Sequence, residues 1–425
     1  MKIAPHRLAC LLALLCVAPS LAQQTPPFTV GAARLLDVAS GELKRDVVVR
    51  VEAGRIVSVA ARTPGSTVTI DLGDVTLVPG LIDCHVHLIG GEELTPYQAL
   101  QETAARAAIE GVANAKKTLD AGFTTVRDLG ARDFADVALR DAIAAGHEPG
   151  PRMLVAVNSI SSTGGHGDLN DLPADVHVER FSAIADGPDE IRAKVREDVK
   201  YGADWIKILA TGGVMSAGTD PRQAQYTEEE LKAAVDAARE RGRDVAVHAH
   251  GTEGILRAVR AGVRSVEHAS MLNDEAIALI KARGVFIVPN PVTNKYILER
   301  GAAGGYQDYQ IEKSRQVYEL KVASLRKAIA AGVDVAYGTD SGVQPHGFNG
   351  RQFAIYVEAG MTPLQAIQSA TTVAARLLRM EDRLGQVKPG FLADLVAVAG
   401  NPLTDVRTLE RPVFVMKDGV VASRN

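Results

Sequence analysis

Between residues 77 and 339, short apolar stretches alternate with amphipathic ones, and this alternation constrains the fold most tightly. The apolar stretches lie at 77–88, 123–128, 152–158, 204–210, 244–250, 265–269, 285–290 and 333–339. Helical patterns fill most of the gaps, at 98–120, 133–145, 188–201, 227–242, 252–262, 273–283 and 312–331. Short apolar runs bounded by turn residues read as buried strands. Strands that alternate with helices predict an α/β chain, and eight such units predict a (β/α)8 TIM barrel. An open doubly wound sheet is the competing topology, but no glycine-rich dinucleotide fingerprint follows the first strand.

The two ends of the chain break the alternation. Phe28–Leu36, Asp46–Val51 and Gly54–Val59 near the start, and Asp394–Val398 and Val413–Gly419 near the end, are short strand patterns separated by turns. They predict a small β-sandwich formed by both termini, from residues 23–76 and 383–425, with the barrel of 77–382 inserted between them. Ahead of it, residues 1–22 read as a signal peptide. Lys2 and Arg7 precede an apolar run from Leu8 to Val17, and Ser20-Leu21-Ala22 ends in a small-x-small cleavage pattern. Ten apolar residues are too few to span a bilayer, so the mature chain is expected to be secreted or periplasmic, with no membrane contact. Cys84 is the one cysteine beyond residue 22, which excludes an internal disulfide. A net charge of -4 with no basic stripe excludes a general nucleic-acid binder.

Ligand-type residues gather where the predicted strands end. His85 and His87 are two apart, so both side chains leave one side of the first strand, and Cys84 leaves the other. The fourth strand carries Lys207 in an apolar setting that disfavours its charge. The fifth carries His248 and His250, the sixth His268, and the eighth ends in Asp340. Barrel chemistry sits at the C-terminal strand ends. His85, His87, Lys207, His248, His268 and Asp340 are therefore candidates for one shared metal site.

In its order of His-x-His, Lys, His, His and Asp, the chain resembles the amidohydrolase superfamily, binuclear type. Within it, the chain is similar to the group of imidazolonepropionase-like proteins, Xaa-Pro dipeptidases (prolidases) and ochratoxinase-like amidases. The matching stretches are Pro79–His87, Gly164–Asp168, His248–Gly251, Gly338–Ser341 and Gly390–Leu395. The resemblance implies two divalent ions, most simply Zn2+. His85, His87 and Asp340 would hold one, His248 and His268 the other. Lys207, carboxylated by CO2, would bridge them. A bridging hydroxide would attack the amide carbonyl, with Asp340 as proton shuttle. Nitrogen and oxygen ligands without thiolate suit zinc.

The expected substrate is a small amide with a free carboxylate: a dipeptide, an N-acyl amino acid or an ochratoxin-type amide. His166, Tyr226, His250 and Arg222 are the candidate substrate contacts, from loops at the active face and the end of the fifth strand. A homo-oligomer is compatible with the resemblance. Two competing readings are weighed. A mononuclear heterocycle deaminase, or a cyclic amide or lactone hydrolase, shares the histidines, but deaminases usually place a Glu where this chain has Gly251. A non-catalytic exported binding protein would be expected to have lost ligands.

Overall fold

The computed structural model describes residues 26–91, 96–176, 178 and 183–424. The expected signal peptide lies outside the described residues. No helix among them is long and apolar enough to cross a membrane.

Both ends of the chain build one mixed sheet, where a small β-sandwich of both termini was expected. Its strands run in the order Val420–Arg424, Phe414–Lys417, Leu395–Ala399, Val75–Pro79, Phe28–Leu36, Leu43–Glu52, Arg55–Ala61, with Ile70–Asp71 beside Phe28–Leu36. The two ends meet where Leu395–Ala399 pairs antiparallel with Val75–Pro79. Alternate residues of these strands, including Val49, Leu77, Leu395 and Phe414, form a separate apolar core.

The stretch read as one strand over 77–88 is two. Val75–Pro79 belongs to the shared sheet and Leu81–Val86 starts a parallel series. The break is Gly80, where a Cβ would stand 2.2 Å from Thr124 Oγ1 and 2.8 Å from Asp394 Cβ. Only glycine lets the two sheets approach this closely.

Leu81–Val86, Phe123–Asp128 and Arg152–Val155 pair in parallel. Ser159–Ser161, Trp205–Leu209, Asp244–Ala249, Ser265–His268 and Phe286–Val288 pair in parallel as a second series. The first series meets the second where Asp204 N–H donates to the Val155 carbonyl at 2.8 Å. Helices follow the strands with the expected signals. Thr227 and Glu230 form a capping box at the start of Glu228–Arg239, and Gly262 and Gly332 end helices in the left-handed region.

Two expectations change. The eighth stretch, 333–339, is not a regular strand. It makes single parallel bridges to its neighbours, Ile287 with Val335 and Val86 with Ser341. Tyr337 N–H turns away to the Ser369 carbonyl, and Asp340 has a φ of 61°, so the ladder is interrupted. Residues 291–311, left between the predicted strand 285–290 and the predicted helix 312–331, hold the helix Pro291–Arg300, begun by a proline whose fixed φ suits a first turn.

Candidate metal centre and substrate cavity

Strand alternation sorts Leu81–Val86 as expected. Cys84 is buried in an apolar cluster with Ile82 and Trp205. His85 and His87 face a cavity of about 230 Å³ on the opposite side. Lys207, His248, His268 and Asp340 line the same cavity, so all six predicted ligands converge.

Asp340 Oδ1 stands 3.4 Å from both His85 Nε2 and His87 Nε2. Lys207 Nζ is 3.4 Å from His85 Nε2. The His248 and His268 ring centres are 4.3 Å apart, and those of His85 and His268 5.2 Å. Among the described residues, two triplets have ligand atoms within 4.8 Å of one another: His85, His268 and Asp340, and His248, His250 and His268.

Each ring is held by its far nitrogen. His85 Nδ1 pairs with Glu267 Oε2 at 3.0 Å, His87 Nδ1 with the Gly130 carbonyl at 2.9 Å, and His268 Nδ1 with Asn290 Oδ1 at 2.8 Å. His248 uses the opposite nitrogen, Nε2, against the Gly212 carbonyl at 3.2 Å. An oxygen behind each ring leaves the other nitrogen as a lone-pair donor toward the cavity, which is how metal-ligating histidines are held. The donor set therefore fits divalent cations.

Electrostatics agree for three of the four rings, whereas at His87 burial is outweighed by Asp340, which raises it. Burial holds His85, His248 and His268 well below the usual histidine range, and so in the neutral, ligating form. Burial pushes Asp340 up, but His85 and His87 outweigh it and hold the carboxyl at about 2. Burial lowers Lys207 to about 8. Among the described residues, no carboxylate lies within ion-pair distance of that ammonium. His268 and Asp340 both adopt left-handed backbone, with φ of 71° and 61°. For side chains this costs roughly 1–3 kcal/mol each and concentrates at functional sites.

Two residues behind the ligands are not among the candidates that the sequence pattern picks out. Arg127 and Glu267 are fully buried and joined at 2.8 Å, and Glu267 reaches His85 with its other oxygen. Arg127 also donates to the Cys84 carbonyl at 2.7 Å and lies over the Trp205 ring. Each is a charge inside an apolar strand, and that was the available signal. Arg127→Met leaves the Glu267 carboxylate buried without its cation. We expect a loss of roughly 3–5 kcal/mol in denaturant unfolding, together with weaker metal retention because Glu267, which backs His85, is no longer anchored by Arg127.

The structure divides the four candidate substrate contacts. His166 and His250 line the cavity. His166 Nδ1 meets Ser216 Oγ at 2.8 Å, and its ring lies 4.3 Å from that of His248. Gly213 makes room for it, since a Cβ there would sit 2.2 Å from the His166 ring. Tyr226 and Arg222 are corrections. Tyr226 is buried in the main core, and its hydroxyl donates to the Ala185 carbonyl at 2.8 Å. Arg222 is exposed and chelates Asp220, its own neighbour, so it is a surface pair. Neither lines the cavity.

The comparisons with known proteins agree with this geometry. The amidohydrolase family model matches residues 76–422. Ochratoxinase of Aspergillus niger is 34% identical over 358 residues, covering 80% of this chain and 73% of that one. A solved Xaa-Pro dipeptidase with bound methionine in the active site superposes with a TM-score of 0.87 at 37% identity, covering 93% of this chain and 99% of that one. A prolidase complexed with N-methylphosphonate-L-proline gives a TM-score of 0.87 at 33% identity, covering 94% and 100%.

Proposed function

The chain belongs to the amidohydrolase family and is a hydrolase of carbon–nitrogen bonds, and from that premise we propose that it is an exported binuclear amidase for small amides that carry a free carboxylate. The convergence of six ligand-type side chains, four of them rings backed by oxygen, carries this reading. His85, His87 and Asp340 would hold one ion and His248 and His268 the other, with Lys207, as its carbamate, a ligand to both. Two divalent ions, read as zinc, would supply Lewis acidity to the amide carbonyl and a water of lowered pKa.

The chain's own groups do the rest. Lys207, lowered to about 8 by burial, is partly neutral near pH 7, and the neutral amine is the form that adds CO2. Addition forms an N–C bond and releases one proton. It replaces a buried cation by an anion with two oxygens, which suits a position between cations. Asp340, ionised at any working pH, accepts the proton of the attacking water and returns it to the leaving amine. His166 and His250 face the substrate. The apolar wall of Leu209, Val214, Met215 and Ile297 takes its side chains.

Two features extend the reading. The single bridges at Val335 and Ser341 join the last parallel strand back to the first, which supports a closed (β/α)8 barrel. The leader pattern of residues 1–22 supports export.

Metal content per chain, with amine release from N-acyl amino acids and Xaa-Pro dipeptides before and after chelation, tests the proposal. We expect about two ions per chain and release that stops with chelation. One ion with ammonia released from a heterocycle would instead establish the deaminase. No ion and no turnover would establish a binding protein.

A further inference from the structure

The cavity contains a charge that the proposed chemistry does not use. Lys321 lies on the buried stripe of the helix Asp308–Ala331 and lines the cavity beside His250, Thr293 and Asn294. Its side chain is almost wholly buried, at 2% exposure. The ammonium donates to Asn290 Oδ1 at 2.9 Å and to Asn294 Oδ1 at 2.6 Å. The Asn290 carbonyl, at 3.5 Å, is too distant to add much. Both close partners are neutral, and among the described residues no carboxylate pairs with Lys321. A buried cation without an anion is costly. Arg127, equally buried, has Glu267. Burial lowers Lys321 to about 7 and only Asp340 pulls it back up, so near pH 7 the group is partly neutral until an anion beside it restores the charge.

The surroundings hold this ammonium in place rather than neutralise it. Asn290 Oδ1 also accepts from His268 Nδ1, which ties Lys321 to a predicted ligand. Asn294 Nδ2 donates to Ser314 Oγ at 3.3 Å, which turns its oxygen toward Lys321. An ammonium has three donors; two go to the asparagine side chains, and the third has only the long 3.5 Å contact to the Asn290 carbonyl, which a ligand anion in the cavity can replace. A lysine serving packing alone on a stripe of Val317, Val322 and Leu325 would gain more from a carboxylate partner or from replacement by an apolar residue. An anionic group of the ligand supplies what the protein omits.

We propose that Lys321 is the residue that reads the substrate's free carboxylate, selecting N-acyl amino acids and dipeptides over neutral amides. This rests on the amidase reading above.

The test compares N-acetyl-L-phenylalanine with N-acetylphenethylamine, the same amide without the carboxylate. Wild type should favour the acid in kcat/KM by on the order of tenfold to a hundredfold, the span of one charge-assisted hydrogen bond. Lys321→Met and Lys321→Gln should bring that ratio close to one, chiefly by raising KM for the acid. A ratio that survives in folded, metal-loaded variants would overturn the assignment, and so would a proportional loss on both substrates. Calorimetric titration with L-phenylalanine gives a readout independent of turnover. Lys321→Gln should bind it at least about tenfold more weakly than wild type. Equal binding, or none by wild type, overturns the proposal. If wild type releases no amine from either substrate but the titration behaves as expected, the amidase reading fails and the carboxylate site stands.

Discussion

Lys207→Ala is expected to abolish turnover, lowering kcat/KM on the order of a thousandfold or more, because the Lewis acidity it helps to hold contributes several kcal/mol and each 1.36 kcal/mol is a factor of ten. Lys207 is 2% exposed on the fully buried strand Trp205–Leu209. Among the described residues its nitrogen meets only His85 Nε2, at 3.4 Å, so an ammonium there is poorly accommodated. A carbamate, in contrast, would present two anionic oxygens to the cavity that His85 and His248 also line. Removing the side chain empties that channel, and acetate or formate can enter it with the same two oxygens. Tens of millimolar of either should restore part of the activity and part of the second ion. Lys207→Met fills the channel with apolar atoms and should not respond. Rescue of both variants, or of neither while both ions stay bound, would remove Lys207 from the bridging role. Metal analysis beside steady-state rates separates these outcomes.

The metal centre was legible because its residues are conspicuous against their background. Strand periodicity puts His85 and His87 on one side and Cys84 on the other, and the structure keeps that division. Lys207, His248 and His268 interrupt apolar strands where a polar group needs a reason. The shared sheet was legible for a similar reason, since Phe28–Leu36 and Leu395–Ala399 carry strand patterns without a following helix.

What the pattern hid was burial of side chains on helices and loops. Lys321 belongs to the stripe Gln310, Ser314, Val317, Lys321, Leu325 and Ala328, spaced by three and four residues. That stripe was visible, but a lysine on an amphipathic helix ordinarily reaches water. Tyr226 failed in the opposite direction. A tyrosine beside the helix cap Thr227 reads equally as a donor to substrate or as packing, and its partner, the Ala185 carbonyl, is 41 residues away. Arg222 resembles a carboxylate clamp until Asp220, two residues earlier, is seen to satisfy it. The eighth strand failed because regular pairing depends on neighbours. Tyr337 N–H goes to Ser369, a contact that no local pattern announces.

Asp340→Asn is expected to lower kcat by roughly a hundredfold to ten-thousandfold, the usual contribution of a positioned acid–base group, while leaving most of the fold intact. The substitution keeps the side chain's shape. The backbone bonds that set its position, Asp340 N–H to the His85 carbonyl and Val343 N–H to the Asp340 carbonyl, do not involve the carboxylate. What disappears is a group that His85 and His87 hold ionised and that can accept a proton. A carboxamide oxygen can still approach a cation but cannot carry the proton to the leaving amine. The loss should therefore fall on kcat with KM little changed, and substrates with better leaving amines should suffer less. Because Asp340 is also placed as a ligand, the ions per chain must be counted in the same preparation. A variant that keeps both ions and near wild-type turnover would remove Asp340 from proton transfer. A variant that loses an ion and regains its rate when metal is added would assign it the ligand role alone.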